Sequence, residues 1–140
     1  LDATAALSAF NKAKIVLDVG TGAGFPGVVL AICLPHIKFY LNDVNAKKMA
    51  YLRHLKSRMN LENIILEHQD VRQLDLDVDI VTARAVAQPD ELLRLTAHLK
   101  ATSYCLYVSA QTAQLYPSVK ELDVPGATRK TFLLTLLKSN

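Results

Sequence analysis

Residues 15–19, Ile-Val-Leu-Asp-Val, form a β-rich apolar run that passes straight into glycines. An apolar stretch over 28–34 then reads as a helix stopped near Pro35, and 37–42 as a second strand. Met49, Leu52, Leu55 and Met59 recur at helical spacing, predicting a longer helix over 46–59. Strands are expected at 63–69 and 78–82, a helix from Pro89 to about residue 98, and a fifth strand over 103–108. The run 131–137 is a late strand that pairs with residues near 119–124, and 1–10 reads as the middle or end of a helix. Strands alternating with helices imply parallel strands joined by crossovers. The expected class is therefore α/β, a doubly wound, mostly parallel sheet with an antiparallel C-terminal strand.

Composition narrows this picture. A chain of 140 residues, 51% apolar and 21% charged, suits one domain over 1–140 and excludes a disordered or collagen-like polymer. Residues 19–37 carry no Asp, Glu, Lys or Arg, but glycines and prolines interrupt them, and 28–34 is too short to cross a bilayer. No basic segment followed by an apolar one opens the chain, so no signal peptide is expected. The start at Leu1 reads as a fragment or processed form. Cys33 and Cys105 show no pairing or metal pattern, which fits reduced, buried thiols in a cytoplasmic protein. His36, His54, His68 and His98 have no ligand spacing, so no metal is expected.

Four of the five glycines fall in Gly20-Thr-Gly-Ala-Gly-Phe-Pro-Gly27, between a predicted strand and a predicted helix. An ordinary turn needs one glycine. Four suit a loop whose backbone takes positive φ or lets a ligand approach closely, at the crevice where open α/β sheets bind ligands. Gly22, Gly24 and Gly27 also match the dinucleotide pattern G-x-G-x-x-G, which is weak by itself. Asp43, about twenty residues on, ends the second strand and is suited to accept from ribose hydroxyls. Asp18 precedes the loop as D-x-G-x-G-x-G; a carboxylate there suits a cationic amino group and would repel a pyrophosphate. No Lys follows the glycines, which excludes a P-loop.

With Asp18-Val-Gly-Thr-Gly-Ala-Gly-Phe-Pro-Gly27, Asp43, Lys47-Lys48, Tyr51-Leu52, 60–63 as Asn-Leu-Glu-Asn, Ala83-Arg84-Ala85 and Arg129, the chain resembles the class I S-adenosylmethionine-dependent methyltransferases. More narrowly, it resembles the RsmG family, also called glucose-inhibited division protein B. That family methylates N7 of a guanine in bacterial small-subunit ribosomal RNA. The resemblance implies a Rossmann-like fold with S-adenosylmethionine as cofactor, and it runs from the family's segment just before the core, so the family's N-terminal helices are expected to be absent. It implies cofactor contacts at Gly20 and Phe25, at Val71 and Arg72 beside the adenine, and at Arg84, with Asp43 on the ribose. Two departures stand near the expected substrate side. Ser109-Ala110 replaces the family's usual Lys-Gly, and Ala83 replaces a Ser.

Guanine N7 carries an in-plane lone pair and no proton, so its methylation needs no general base, and the sequence names no catalytic residue. Consistently, the chain has no Asp/Asn-Pro-Pro-aromatic clamp for an exocyclic amine and no Pro-Cys nucleophile. Residues 44–61 carry Lys47, Lys48, Arg53, Lys56 and Arg58 with no acid, whereas 62–79 carry six acids against Arg72. Lys47 and Lys48, beside the expected crevice, are the foremost RNA-binding candidates, with Arg129 and Lys130 as a second patch. The partner is then ribosomal RNA or the small ribosomal subunit, with no membrane involved and a monomer favoured. Two alternatives remain. One is a domain of the same fold that binds the cofactor or RNA without turnover. The other is an NAD-dependent oxidoreductase, which would need a hydride-transfer pair such as Tyr-x-x-x-Lys.

Overall fold

A computed structural model describes residues 3–22, 24, 26–84, 89–116, 119–122 and 131–137. The chain begins with α1 (Ala3–Phe10), β1 (Ile15–Val19), α2 (Gly27–Cys33), β2 (Lys38–Asn42), α3 (Ala46–Met59) and β3 (Ile64–Glu67). A 3-10 turn (Val71–Gln73) leads to β4 (Asp77–Arg84), α4 (Pro89–Leu95), β5 (Lys100–Ser109), α5 (Ala110–Ala113), β6 (Val119–Leu122) and β7 (Thr131–Leu137).

The seven strands form one sheet in the order β3-β2-β1-β4-β5-β7-β6. The first five are mutually parallel, and β7 runs antiparallel to both β5 and β6. From β1 the chain steps outward to β2 and β3, then crosses back to β4 on the other side of β1. The C-terminal ends of β1 and β4 therefore flank a topological switch point, where open sheets leave a crevice.

Local chemistry explains the elements. β1 lies between two neighbours, so its central residues Val16, Leu17 and Asp18 are all buried; Val16 and Leu17 suit that position as apolar side chains, and Asp18 is accommodated by the Gly27 amide. Asp79 Oδ2 accepts from the amides of Lys14 and Ile15, tying the entry of β1 to β4. α3 is capped at both ends. Asn45 accepts from the Lys48 amide, and Asn60 closes the helix in the left-handed conformation.

The core has two faces. On one, α1, α2 and α3 cover the sheet through Phe10, Leu30, Met49 and Leu52 against Val16, Phe39 and Cys105. On the other, Leu17, Val81, Leu106 and Leu134 pack with Val71, Leu92 and Ala113 from the 3-10 turn, α4 and α5. Both cysteines are free thiols, but only Cys105 is buried as expected; Cys33 is exposed, since α2 turns Val28, Leu30 and Ala31 inward and not its last residue, and burial pushes the Cys105 thiol up to about 12. Among the described residues, no helix is long and apolar enough to cross a membrane.

The helix over 46–59 and the strand over 131–137 lie where the pattern predicts. The helix expected through residue 98 ends instead at Leu95. There the Thr96 hydroxyl donates to the Leu92 carbonyl and meets the Tyr104 hydroxyl at 2.9 Å, drawing the chain onto β5. The fifth strand is longer than expected at both ends, Lys100–Ser109, because it pairs with β4 along most of its length.

Candidate functional site

The loop after β1 is held from two directions. Thr21 donates its amide to the carbonyl of Asn42 at the end of β2, at 2.9 Å. Gly22 donates to Asp43 Oδ2, also at 2.9 Å, while Asp43 Oδ1 accepts from the Asn45 amide. The Asp43 carboxylate thus joins the loop, the tip of β2 and the start of α3. It is only 8% exposed, and two of its roughly four acceptor positions are without a partner among the described residues.

Gly20, Gly22 and Gly24 all have positive φ. At Gly24 a side chain would also strike Val28, so both conformation and space demand glycine. Gly20 is different. A Cβ there would meet nothing within 4 Å, so the loop's backbone is bare toward open space. A ligand can approach the main chain there without an intervening side chain.

Asp18 lies behind this loop, fully buried in β1. Its Oδ2 accepts from the Gly27 amide at 2.9 Å, fastening the first residue of α2 to the sheet. Its Oδ1 has no hydrogen-bond partner among the described residues, and neither has the Thr21 hydroxyl. Burial pushes the Asp18 carboxyl up to about 7; the nearby Thr21 hydroxyl, the Gly27 amide and Arg84 pull the other way, while Asp43 adds to the rise. The Thr21 hydroxyl is thus the polar group set toward the Asp18 carboxylate behind the glycine loop, and Thr82 stands beside Asp18 in the sheet.

The remaining predicted residues surround the same edge. Asn42 donates to the carbonyls of Glu67 and Gln69, aligning the ends of β2 and β3 ahead of the 3-10 turn. In that turn Val71 is buried, and Arg72 is exposed but clasped by Asp70 through Nε and Nη2. The Arg72 guanidinium holds the Asp70 carboxyl down at about 2. Arg84 ends β4, exposed, and its charge favours the ionised form of Asp18. Lys47 and Lys48 are exposed in the first turn of α3, with Lys48 Nζ 3.9 Å from the point a Cβ on Gly22 would occupy. Phe25 and Arg129 lie outside the described residues.

Several site features carried no sequence signal. Asn42, Asn45 and Asp70 look like ordinary polar residues until the fold aims them at backbone groups. Ser109, a departure from the family pattern, is the N-cap of α5, where its hydroxyl accepts from the Thr112 amide at 3.3 Å. A Tyr-x-x-x-Lys spacing does occur, at Tyr116 and Lys120, but Tyr116 follows α5 and Lys120 lies in β6. That spacing aligns two side chains only within one helix, so the pair offers no hydride-transfer site.

Known proteins fit this geometry. Residues 1–122 match the family model GidB, described as rRNA small subunit methyltransferase G. A ribosomal RNA small subunit methyltransferase G of Aliarcobacter butzleri is 36% identical over 76% of this chain and 57% of its own length. Its counterpart in Neisseria gonorrhoeae is 32% identical over 99% of this chain and 72% of its own. The chain thus spans between about half and three-quarters of these and similar relatives. Among solved structures, TrmK of M. capricolum in complex with S-adenosyl-homocysteine superposes with a TM-score of 0.71 at 15% identity, covering 96% of this chain and 66% of that one. TrmN of Thermus thermophilus gives 0.68 at 21% identity, covering 96% and 48%. These two likenesses establish the fold. With the family model matching from residue 1 through 122, the chain belongs to the rRNA small subunit methyltransferase G (GidB) family.

Proposed function

We propose that this domain transfers a methyl group from S-adenosylmethionine to N7 of a guanine in small-subunit ribosomal RNA. The observation that carries the reading is the bare glycine loop at the switch point, tied down by Asp43. The residues present fit the cofactor. Gly20, Gly22 and Gly24 expose backbone, and Asp43 keeps acceptor positions for ribose hydroxyls. Asp18, from behind the loop, offers negative charge to a cationic amino group. Phe25, Val71, Arg72 and Arg84 complete the set of cofactor contacts.

When bound, S-adenosylmethionine supplies an electrophilic methyl group on a sulfonium. The chain's task is then to bind and orient. Asp43 fixes the loop against β2, and Asp18 fixes it against α2, so the two anchors set one loop geometry. Guanine N7 offers its lone pair without losing a proton, which leaves no step for a general base. Alignment of nucleophile and methyl is worth up to about 7–11 kcal/mol in favourable cases. Lys47, Lys48 and Arg129 are the RNA-binding candidates, and with ribosomal RNA as substrate the domain works in the cytoplasm.

The test is methyl transfer from labelled S-adenosylmethionine to small-subunit ribosomal RNA, compared with RNA in which 7-deazaguanine replaces guanine. Label on the first and none on the second is expected. Equal labelling would overturn the N7 assignment, and binding of cofactor and RNA without any label would favour a domain that binds without turnover.

A further inference from the structure

α3 carries five cations and no acid, but the fold does not use the five alike. Lys56 donates to the Ile64 carbonyl, and Lys56 and Arg53 line the groove between α3 and β3. Met49 and Leu52 are buried against the sheet. At 3.6 residues per turn, the opposite side of the helix is occupied by Lys47, Tyr51, His54 and Arg58, all within about 60° of arc. All four are exposed, Tyr51 by 51%. Neither Lys47 nor Arg58 is paired with a carboxylate among the described residues.

Two features of this stripe are unexplained by stability. Cations in the first turn of a helix oppose its macrodipole, and Lys47 and Lys48 both sit there with no acid in that turn, Asp43 standing just ahead of it on the Asn45 amide. A large aromatic side chain, Tyr51, stands half exposed between them and Arg58. Alternating cations with an aromatic ring is the pattern that grips phosphates and stacks a base. The stripe is also aimed. It begins where Lys48 reaches the glycine loop and runs away from it for about 16 Å, the rise of about five nucleotide steps.

We infer that the outer face of α3 is a track for the substrate RNA strand, with Lys47 and Arg58 on phosphates and Tyr51 and His54 against a base or ribose between them. RNA on this track enters the crevice at its Lys47 end, which delivers the target base beside the loop. The inference rests on the methyltransferase reading above and adds the surface that holds the RNA.

Fluorescence anisotropy of a labelled fragment of small-subunit ribosomal RNA, titrated at several salt concentrations, tests it. Arg58→Gln should lower the slope of log affinity against log salt by about 0.7–0.9, the loss of one phosphate contact. Tyr51→Ala should weaken binding roughly five- to 150-fold without changing that slope, and Tyr51→Phe should restore it. Both variants change exposed side chains, and calorimetric binding of S-adenosylhomocysteine at the parent affinity shows that each is folded. Unchanged RNA affinity and slope in both, or no RNA binding by a parent chain that binds S-adenosylhomocysteine, would overturn the track while leaving the methyltransferase reading in place. Failure of the parent chain to bind S-adenosylhomocysteine would overturn that reading, and the track with it.

Discussion

Gly22 and Asp43 are 21 positions apart in the chain and joined by a hydrogen bond of 2.9 Å from the glycine amide to the carboxylate. The other oxygen of Asp43 holds the Asn45 amide, so one side chain fixes both the loop and the start of α3. Asp43→Ala would leave two backbone donors without their acceptor, at about 1–3 kcal/mol for each that stays buried. The variant should therefore lose several degrees of melting temperature along with most of its affinity for S-adenosylhomocysteine. Asp43→Asn keeps one acceptor oxygen and should fall between. Unaltered affinity in Asp43→Ala, measured by calorimetry, would remove Asp43 from the ribose.

The buried carboxyl of Asp18 makes stability depend on pH in an unusual direction. Its folded-state pKa, about 7, lies above the ordinary 3.8, so between those values the folded chain holds a proton that the unfolded chain releases. Stability from this group is full below about 4 and declines as pH rises toward 7. Asp18→Asn keeps an acceptor for the Gly27 amide and removes the titration. Its denaturant midpoint should gain on that of the parent as pH rises across this window. A cationic amino group beside Asp18 favours the ionised form, so S-adenosylhomocysteine affinity should climb through pH 7 in the parent and stay flatter in the variant. Parallel profiles for both proteins would contradict this account of Asp18.

Two glycine substitutions separate loop architecture from ligand space. A methyl group on Gly27 would collide with Leu41 Cδ2 and Asp18 Oδ2, so Gly27→Ala should cost about 1–3 kcal/mol of stability. Gly20→Ala strains a φ of 65° at roughly 1–2 kcal/mol but meets no atom within 4 Å. It should melt somewhat below the parent while remaining folded, and bind S-adenosylhomocysteine far more weakly than that loss explains, because its methyl group points into the space the ligand needs. Thermal melts paired with calorimetry read both effects.

Ser109 has a structural use that the family comparison of the sequence did not suggest. As the N-cap of α5 it also donates its hydroxyl to Thr112 Oγ1, at 3.2 Å. Ser109→Ala should destabilise by about 0.5–2 kcal/mol through loss of the cap, and Ser109→Asp should retain most of the stability. A Lys at this position would forfeit the cap, so a melting curve belongs beside any activity measured for Ser109→Lys.

Much of this fold is written in periodicity. The β-rich run of β1, the 3.6-residue recurrence in α3 and the apolar run of β7 each mark an element whose burial demands that pattern. Short elements escaped because they have no period. The 3-10 turn over Val71–Gln73 exists because Asp70 accepts from the Arg72 amide, and α5 exists because Ser109 caps it. The glycine loop and Asp43 were readable because unusual residues are concentrated there. What Asp43 and Asp18 hold was not, since a hydrogen bond spanning 21 positions, or one from β1 to α2, leaves no trace in local spacing. Likewise, five cations in one segment read as a single patch until the helix divided them between a groove and an outer face.

The central claim is that the loop between β1 and α2 binds an adenosyl amino acid. Calorimetric titration of the purified chain with S-adenosylhomocysteine, with NAD as the control, tests it most directly. Saturable binding of S-adenosylhomocysteine, lost in Gly20→Ala, with no heat from NAD, is the predicted result. Binding of NAD in its place, or of neither by a chain whose melting curve shows it folded, would contradict the account.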